Sequence, residues 1–435
     1  MRRLAPASSA RERSRVNVSP VLALAGLAAI GLLATRLPRP AWPRVASLDP
    51  VLAAGGPLVA VGLVLGPGIG FLGPTLLGAL APVTALALGW LGAMLGARFE
   101  WRYVRRVPRE VWLCAALSAV SAFVAAALSV ALLARLVPAL GAAWTPRLPA
   151  VLTLAAVAAA SGPGAVRLVA RTLGLGELVT RRITRVAVLQ TAAGTLALTV
   201  PLALHRSYAG ANAELGWLAS LVFAVGGGAL VGMAFLSVSR LRPAADLGFA
   251  LVATLLFGAG LGYAADLSPL IVCALAAGLI VNTSTRRRVV REMFADWSHP
   301  LTVVVLIVTG ALLTLPTAWI LVAAALVALV RVAAQWGAVR LGRAVLRLDG
   351  VPPHAGLATV AQGATALALG VNFFLMYGGH GTGGAGGAGG AAVLATVVGA
   401  VAVAQLAAPA LLTLALRAGP ARLTPAPETA ELSPR

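Results

Sequence analysis

The sequence predicts an all-α integral membrane protein of about thirteen transmembrane helices, and three observations carry that expectation. Hydrophobic residues make up 60% of the 435-residue chain and charged residues only 11%. The apolar residues fall in blocks of roughly 15 to 25, the length a helix needs to cross ~30 Å of hydrocarbon. The basic residues are all arginine, and they sit almost entirely in the short gaps between blocks. A formal charge of +21 distributed in that way marks membrane topology, not a nucleic-acid-binding face. The expected partners are therefore the lipid bilayer and a small ion or solute, with no nucleic acid.

Each block is read as a helix because an isolated strand in lipid leaves its backbone polar groups unsatisfied. The first seven spans fall at 20–35, 51–65, 75–96, 111–133, 148–173, 183–204 and 215–238, and six more at 247–263, 267–281, 300–315, 319–339, 356–377 and 391–416. The chain thus divides into an Arg-rich N-terminal tail (1–19), a membrane domain (20–416) and a short, Pro-rich C-terminal tail (417–435). That tail is too short and too mixed in charge for a folded regulatory domain. Arginine placement tests the count independently. The connections after spans 3, 5, 7, 9 and 11, with the C-terminal tail, hold about 22 arginines, and those after spans 4, 6, 8, 10 and 12 about 3. The alternation places the C-terminus in the cytoplasm and the N-terminus outside. Span 1 resists it, because Arg2, Arg3, Arg11, Arg13 and Arg15 precede it on the outer side; its short apolar core also resembles a signal sequence, but no small-residue cleavage site follows.

Cys114 and Cys273 lie inside apolar blocks and are read as packing residues. His205, His299, His354 and His380 lie at block edges or in loops and are read as solvated, since none has metal-ligand spacing. The Gly-rich run 378–390 lacks the Lys-Ser/Thr of a phosphate loop and is read as a flexible loop. No nucleophile-base pair, metal cluster or cofactor motif is present, so the expectation is a non-enzyme without a cofactor.

Two spans are interrupted: span 5 by Ser161-Gly162-Pro163-Gly164, and span 12 by Ala361-Gln362-Gly363. Proline removes a backbone donor and glycine loosens the helix, so discontinuous helices are predicted at both places. The spans are seven apart, an odd number, so equivalent segments run through the membrane in opposite directions. Interruptions at matching places in two inverted halves point to the binding site of a secondary transporter.

With these residues placed, the chain resembles the monovalent cation:proton antiporter superfamily, in particular its second family, over spans 2 to 13. Val61-Gly62-Leu63-Val64-Leu65-Gly66-Pro67-Gly68 with Leu72-Gly73 is similar to an early Gly-Pro segment of that family. Gly96-Ala97-Arg98-Phe99-Glu100 is similar to the end of its third helix, and Ser268-Pro269 with Ala277-Gly278-Leu279 to its ninth. His299-Pro300 through Gly310 is similar to its tenth, and Val360-Ala361-Gln362-Gly363 to a Pro-Gln-Gly break in its twelfth. The resemblance implies an inverted-repeat bundle in a bacterial plasma membrane, monovalent cation/proton exchange, and compatibility with a homodimer. The functional residues depart from the pattern. The span 5 break usually carries Thr-Asp-Pro, and here reads Ser161-Gly162-Pro163. Span 6 usually carries an Asp that binds the cation and exchanges the proton, and here reads Gln190-Thr191. None of the thirteen Asp and Glu residues falls in the middle of a predicted span. Asp246 and Asp266 lie nearest to helix ends, where capping or solvated roles are expected.

One charge remains within a span: Arg331, roughly 12 Å from the inner end of span 11 at 1.5 Å per residue. Three partners are open to it, the carbonyls of the broken helices, an anionic ligand, or partial snorkelling to the interface. Gln335 lies one turn away, and Gln190, Thr191, Gln362 and Asn372 supply further polar groups. The expected ion pathway is Ser161, Gly162, Pro163, Gln190, Thr191, Arg331, Gln335, Gln362 and Gly363. Three functions compete: cation/proton exchange, transport of an anionic or organic solute recognised by Arg331, and a non-transporting membrane scaffold that has lost the ion site.

Overall fold

The computed structural model describes residues 55–204, 213–241, 247–346, 354–378 and 385–417. The N-terminal tail, span 1, Asp246, His205, His380 and residues 418–435 lie outside the described residues. Within them the architecture is helical, with no strand. The principal helices are α1 (Gly56–Leu63), α2 (Ala81–Ala97), α3 (Arg109–Leu136), α4 (Arg147–Ala159), α5 (Pro163–Thr172), α6 (Glu177–Ala203) and α7 (Ala213–Leu241). They continue as α8 (Leu247–Ala264), α9 (Pro269–Thr283), α10 (Arg287–Asp296), α11 (Ser298–Ala311), α12 (Trp319–Leu346), α13 (Ala364–Gly378) and α14 (Ala385–Arg417).

Every block from the second to the thirteenth is occupied by a helix or a helix pair. By length and composition, the described residues hold 7 spans able to cross a membrane, one of them made of α4 and α5 together, or 8 with the pair α10 and α11, bent by 42°. Four shorter apolar helices, Gly56–Gly68, Ala81–Ala97, Pro269–Thr283 and Ala364–Gly378, fill remaining blocks. Their shortness has local causes. Block 2 passes into a π-helical turn at Val64–Gly68 containing Pro67. Block 3 is divided at Leu80, between Pro74–Ala79 and α2. Block 12 is split by its interruption, with a 3-10 turn at Ala355–Thr359 before α13.

Three readings of the sequence change. The connection after span 9 contains α10, an amphipathic helix whose Val290 and Phe294 are buried while Arg288 and Arg291 face outward. The four-residue spacing of those apolar residues is the signal for it. The Gly-rich run is not loop throughout, because α14 starts at Ala385. Its glycines permit a close approach, since a Cβ at Gly389 would lie 1.9 Å from the Thr145 carbonyl oxygen. His354 is not a free loop histidine: its Nδ1 accepts a hydrogen bond from Trp336 Nε1 at 2.9 Å, and the two rings stack.

The helices pack as two units. In the first, α3 packs on α12, α4 and α6, and α14 packs on α12 and α13. In the second, α9 packs on α2, α7 and α8, and α11 on α1 and α2. The units meet along a seam where α6 touches α7 and where α13 touches α2 and α11. The first unit therefore combines blocks 4 to 6 with blocks 11 to 13. Each triplet reads long helix, broken helix, long helix. α3 begins at Arg109, whereas α12 reaches Arg340 and Arg343 only at its end, so the triplets run in opposite directions. The arginine-rich connections gather at one end of the bundle, where Glu100 pairs with Arg291 at 3.1 Å and Arg287 at 3.5 Å.

In lipid, helices gain little by burying apolar side chains against one another, so close backbone approach carries the association. The α2–α9 contact is built in that way: a Cβ at Gly92 would lie 2.0 Å from the Leu270 carbonyl oxygen, and one at Gly96 1.9 Å from that of Ala274. Gly92→Val should force these helices apart and lower the thermal unfolding midpoint in detergent, at a cost of about 1–3 kcal/mol. Gly226→Val, where a Cβ meets nothing within 4 Å, should leave the midpoint unchanged.

Candidate functional site: the crossing of two broken helices

Proline at the first position of α5 ends α4 early, because Pro163 has no N–H to continue the ladder. The last carbonyls of α4 are left without intrahelical donors, and they carry the negative end of the helix dipole. Block 12 breaks beside them. Gly162 N donates to Ala361 O at 2.9 Å, which joins the two interruptions back to back. Only glycine fits at this contact, since a Cβ at position 162 would meet Gly363 N at 2.5 Å.

Arg331 closes the crossing. Its side chain is fully buried, and α12 continues to Leu346, so the residue lies roughly 22 Å from the helix end at 1.5 Å per residue. Snorkelling over that distance is excluded by the reach of the side chain. Nε donates to Ala158 O at 2.7 Å, and Nη2 to Ala160 O at 3.0 Å, Ser161 Oγ at 3.1 Å and Thr359 O at 3.2 Å. Nη1 donates to Val360 O. Of the three partners open in the sequence, the broken-helix carbonyls are the ones engaged. Gln362 adds a second clamp, with Nε2 donating to Val157 O at 2.7 Å and Ala160 O at 3.1 Å. The Ser161 hydroxyl donates to Thr359 O, and Thr191 Oγ1 to Ser161 O, which brings α6 into the network.

Ser161, Gly162, Thr191, Arg331, Gln362 and Gly363 are thus brought together, with Pro163 starting α5 beside them. Gln190 and Gln335 behave differently. Both are fully buried, yet neither side-chain oxygen nor nitrogen has a hydrogen-bond partner among the described residues. Val186 and Val339 pack in one cluster, and α6 and α12 run in opposite directions, so the residues one turn further out, Gln190 and Gln335, lie at one level. Gln405 is a third buried amide without a hydrogen-bond partner among the described residues. It lies near the level of Arg331, because α12 and α14 run the same way and a Cβ at Gly399 would meet Ala324. Sequence reasoning passed over Gln405, although a lone amide in the middle of an apolar block is a signal of this kind. Asn372 is not at the crossing: its Nδ2 donates to Ser268 Oγ at 2.9 Å, across the seam.

The N-cap of α9 is Ser268, whose Oγ accepts from Ile271 N at 3.2 Å, and Asp266 lies before it at the end of α8. Asp266 is half-buried and lines a cavity of about 170 Å³ on the seam, at the arginine-poor end.

No protein-family model and no curated protein matches the sequence. Solved structures do match in fold. The sodium proton antiporter MjNhaP1 from Methanocaldococcus jannaschii at pH 8 aligns with a TM-score of 0.63 at 14% identity, covering 92% of this chain and 99% of that one. An electron-microscopy map of the same antiporter aligns with a TM-score of 0.59 at 16% identity, covering 92% and 98%. The chain therefore has the fold of that antiporter, as the resemblance in its sequence implied.

Arg331→Met should strand the carbonyls of Ala158 and Val360, each at about 1–3 kcal/mol, while Ala160 O keeps its bond from Gln362. Its thermal midpoint should fall steeply, with loss of monodisperse protein. Gln190→Leu and Gln335→Leu remove amides that have no partner, so both should hold or raise the midpoint measured by tryptophan fluorescence.

Proposed function

We propose that this chain is a secondary transporter that exchanges a small monovalent cation for protons, with the arginine-rich end and the C-terminus in the cytoplasm of a plasma-membrane protein. The observation that carries the proposal is the pair of discontinuous helices crossing inside one unit, which meets a second unit along a separate seam. That arrangement suits alternating access, in which one bundle rocks against the other around a site at the crossing. The antiporter fold supports the same reading.

The crossing favours a cation over an anion. Every guanidinium nitrogen of Arg331 already donates to a backbone carbonyl, which leaves no unengaged nitrogen for an anionic solute. Gln190 and Gln335 offer neutral amide oxygens at the same depth, and such dipoles replace part of the hydration shell of a small cation. A non-transporting scaffold is favoured by one observation: every group bonded to Arg331 is neutral.

Proton flux in inside-out vesicles separates these readings. Adding Na⁺, K⁺ or Li⁺ to vesicles acidified inside should release protons, and Gln190→Leu, a variant expected to fold, should lose most of that response. No response to any of the three, together with no cation-dependent thermal stabilisation of the purified protein, supports the scaffold. A response unchanged in Gln190→Leu argues against the crossing as the site.

A further inference from the structure

The 3-10 turn at Ala355–Thr359 is fastened to α12 at both ends. At its far end Thr359 O and Val360 O accept from Arg331. In its first half the backbone lies directly on the helix, since a Cβ at Gly356 would meet Gln335 O at 2.2 Å. At its start stands His354, whose Nδ1 accepts from Trp336 Nε1 at 2.9 Å while the two rings stack with centroids 6.3 Å apart. The imidazole caps none of the turn's own N–H groups, so its bonding is directed at α12. Trp336 and Arg331 are five residues apart, about 7.5 Å along the helix at 1.5 Å per residue. One short segment thus links a histidine at the arginine-rich end to the carbonyls that hold the crossing.

The bond between the rings depends on the charge of the histidine. An indole nitrogen only donates, so Nδ1 must be the unprotonated nitrogen of a neutral imidazole. A proton added to Nδ1 turns it into a donor, and two N–H groups then face each other. The neighbours add a second penalty. The Arg340 guanidinium lies over the Trp336 ring at 4.3 Å, so an imidazolium stacked on that ring shares it with a like charge. The turn packs on α12, α6 and α14. Besides Arg331, the charged groups that the described parts of these helices carry are Arg340 and Arg343 on α12, Arg182 and Arg185 on α6, the pair Glu177 and Arg181 at the start of α6, and Arg417 on α14. Glu177 is exposed and already held by Arg181 at 2.9 Å, and the titratable group in the cluster that Ala355 joins is the buried Cys114 thiol. A proton on His354 therefore enters surroundings that are already cationic.

We propose that His354 and Trp336 form a proton-operated latch on the arginine-rich side of the crossing: neutral His354 holds the 3-10 turn against α12, and protonated His354 lets it go. Once the turn is released, Thr359 O and Val360 O are no longer fixed in front of Arg331, and the crossing loosens. Histidine changes charge between about pH 5 and pH 8, so the latch is closed at the alkaline side of that window and opens as the pH falls through it. Its effect on transport rests on the exchanger reading above, but the latch itself is measurable without transport.

Fluorine NMR of the full-length protein in lipid nanodiscs, with its nine tryptophans replaced by fluorotryptophan, tests the latch directly. The resonance missing from Trp336→Phe belongs to Trp336. In the parent it should shift between about pH 5 and pH 8 with a single midpoint, and the thermal unfolding midpoint should fall over the same window. In His354→Asn the side-chain Oδ1 stands near the place of Nδ1 and accepts from Trp336 at every pH, so the resonance should stay fixed and the thermal midpoint should fall by less. A Trp336 resonance that does not respond to pH, or that responds equally in His354→Asn, overturns the latch. Cation-driven proton flux in vesicles should fall severalfold from about pH 8 to about pH 5 in the parent and by less in His354→Asn, and parallel profiles in the two also overturn it. A titrating Trp336 resonance in a protein without flux leaves the latch standing and removes the exchanger.

Discussion

Two helices broken in the middle of a membrane are sustained by one guanidinium. A charged arginine at the centre of a span costs at least ~2.5 kcal/mol, and each carbonyl exposed at a helix break costs about 1–3 kcal/mol more if left alone. Placed together, these liabilities cancel: Arg331 donates to carbonyls of residues 158, 160, 359 and 360, from both interruptions. The hydroxyl of Ser161 and the amide of Gln362 complete the satisfaction of the backbone. All these groups belong to one packing unit.

The polar inventory of the bundle thus divides in two. One set is spent on backbone: Arg331, Gln362, Ser161 and Thr191. The other set, Gln190, Gln335 and Gln405, is buried without partners among the described residues and contributes nothing to stability that an apolar side chain would not exceed. Unsatisfied amides retained inside a membrane domain are expected where a ligand or water visits. The contrast also explains why an arginine in a transport-type fold need not recognise an anion. Its charge is consumed in holding the helices open.

Much of this was legible in the sequence because its causes are local. Pro163 and the Gly-rich segments fix the breaks, arginine in the connections fixes the polarity of the bundle, and the periods of apolar residues fix the helices. The partners of Arg331 were not legible, because three outcomes are chemically equivalent until 158 to 160 and 359 to 360 are known to converge. Asn372 was misplaced for the same reason: a buried amide takes its role from whatever packs opposite, here Ser268, and the seam is made by helices distant in sequence. Gln405 was available to inspection and was missed only because an apolar block invites no search for polar residues. The division of the helices into two units, which depends wholly on tertiary packing, left no mark on any single segment.

The central claim is that the unit holding the crossing moves as one body against the other. Double electron–electron resonance tests it, with spin labels on the exposed positions Leu132 of α3 and Phe257 of α8, which lie on different units, and on Leu132 with Leu406 of α14 within one unit. Across the seam, the distance distribution should contain two populations whose ratio shifts when a monovalent cation replaces protons, while the distance within the unit stays single and fixed. A single unshifted distance across the seam, or a distance within the unit that changes with it, would contradict the account.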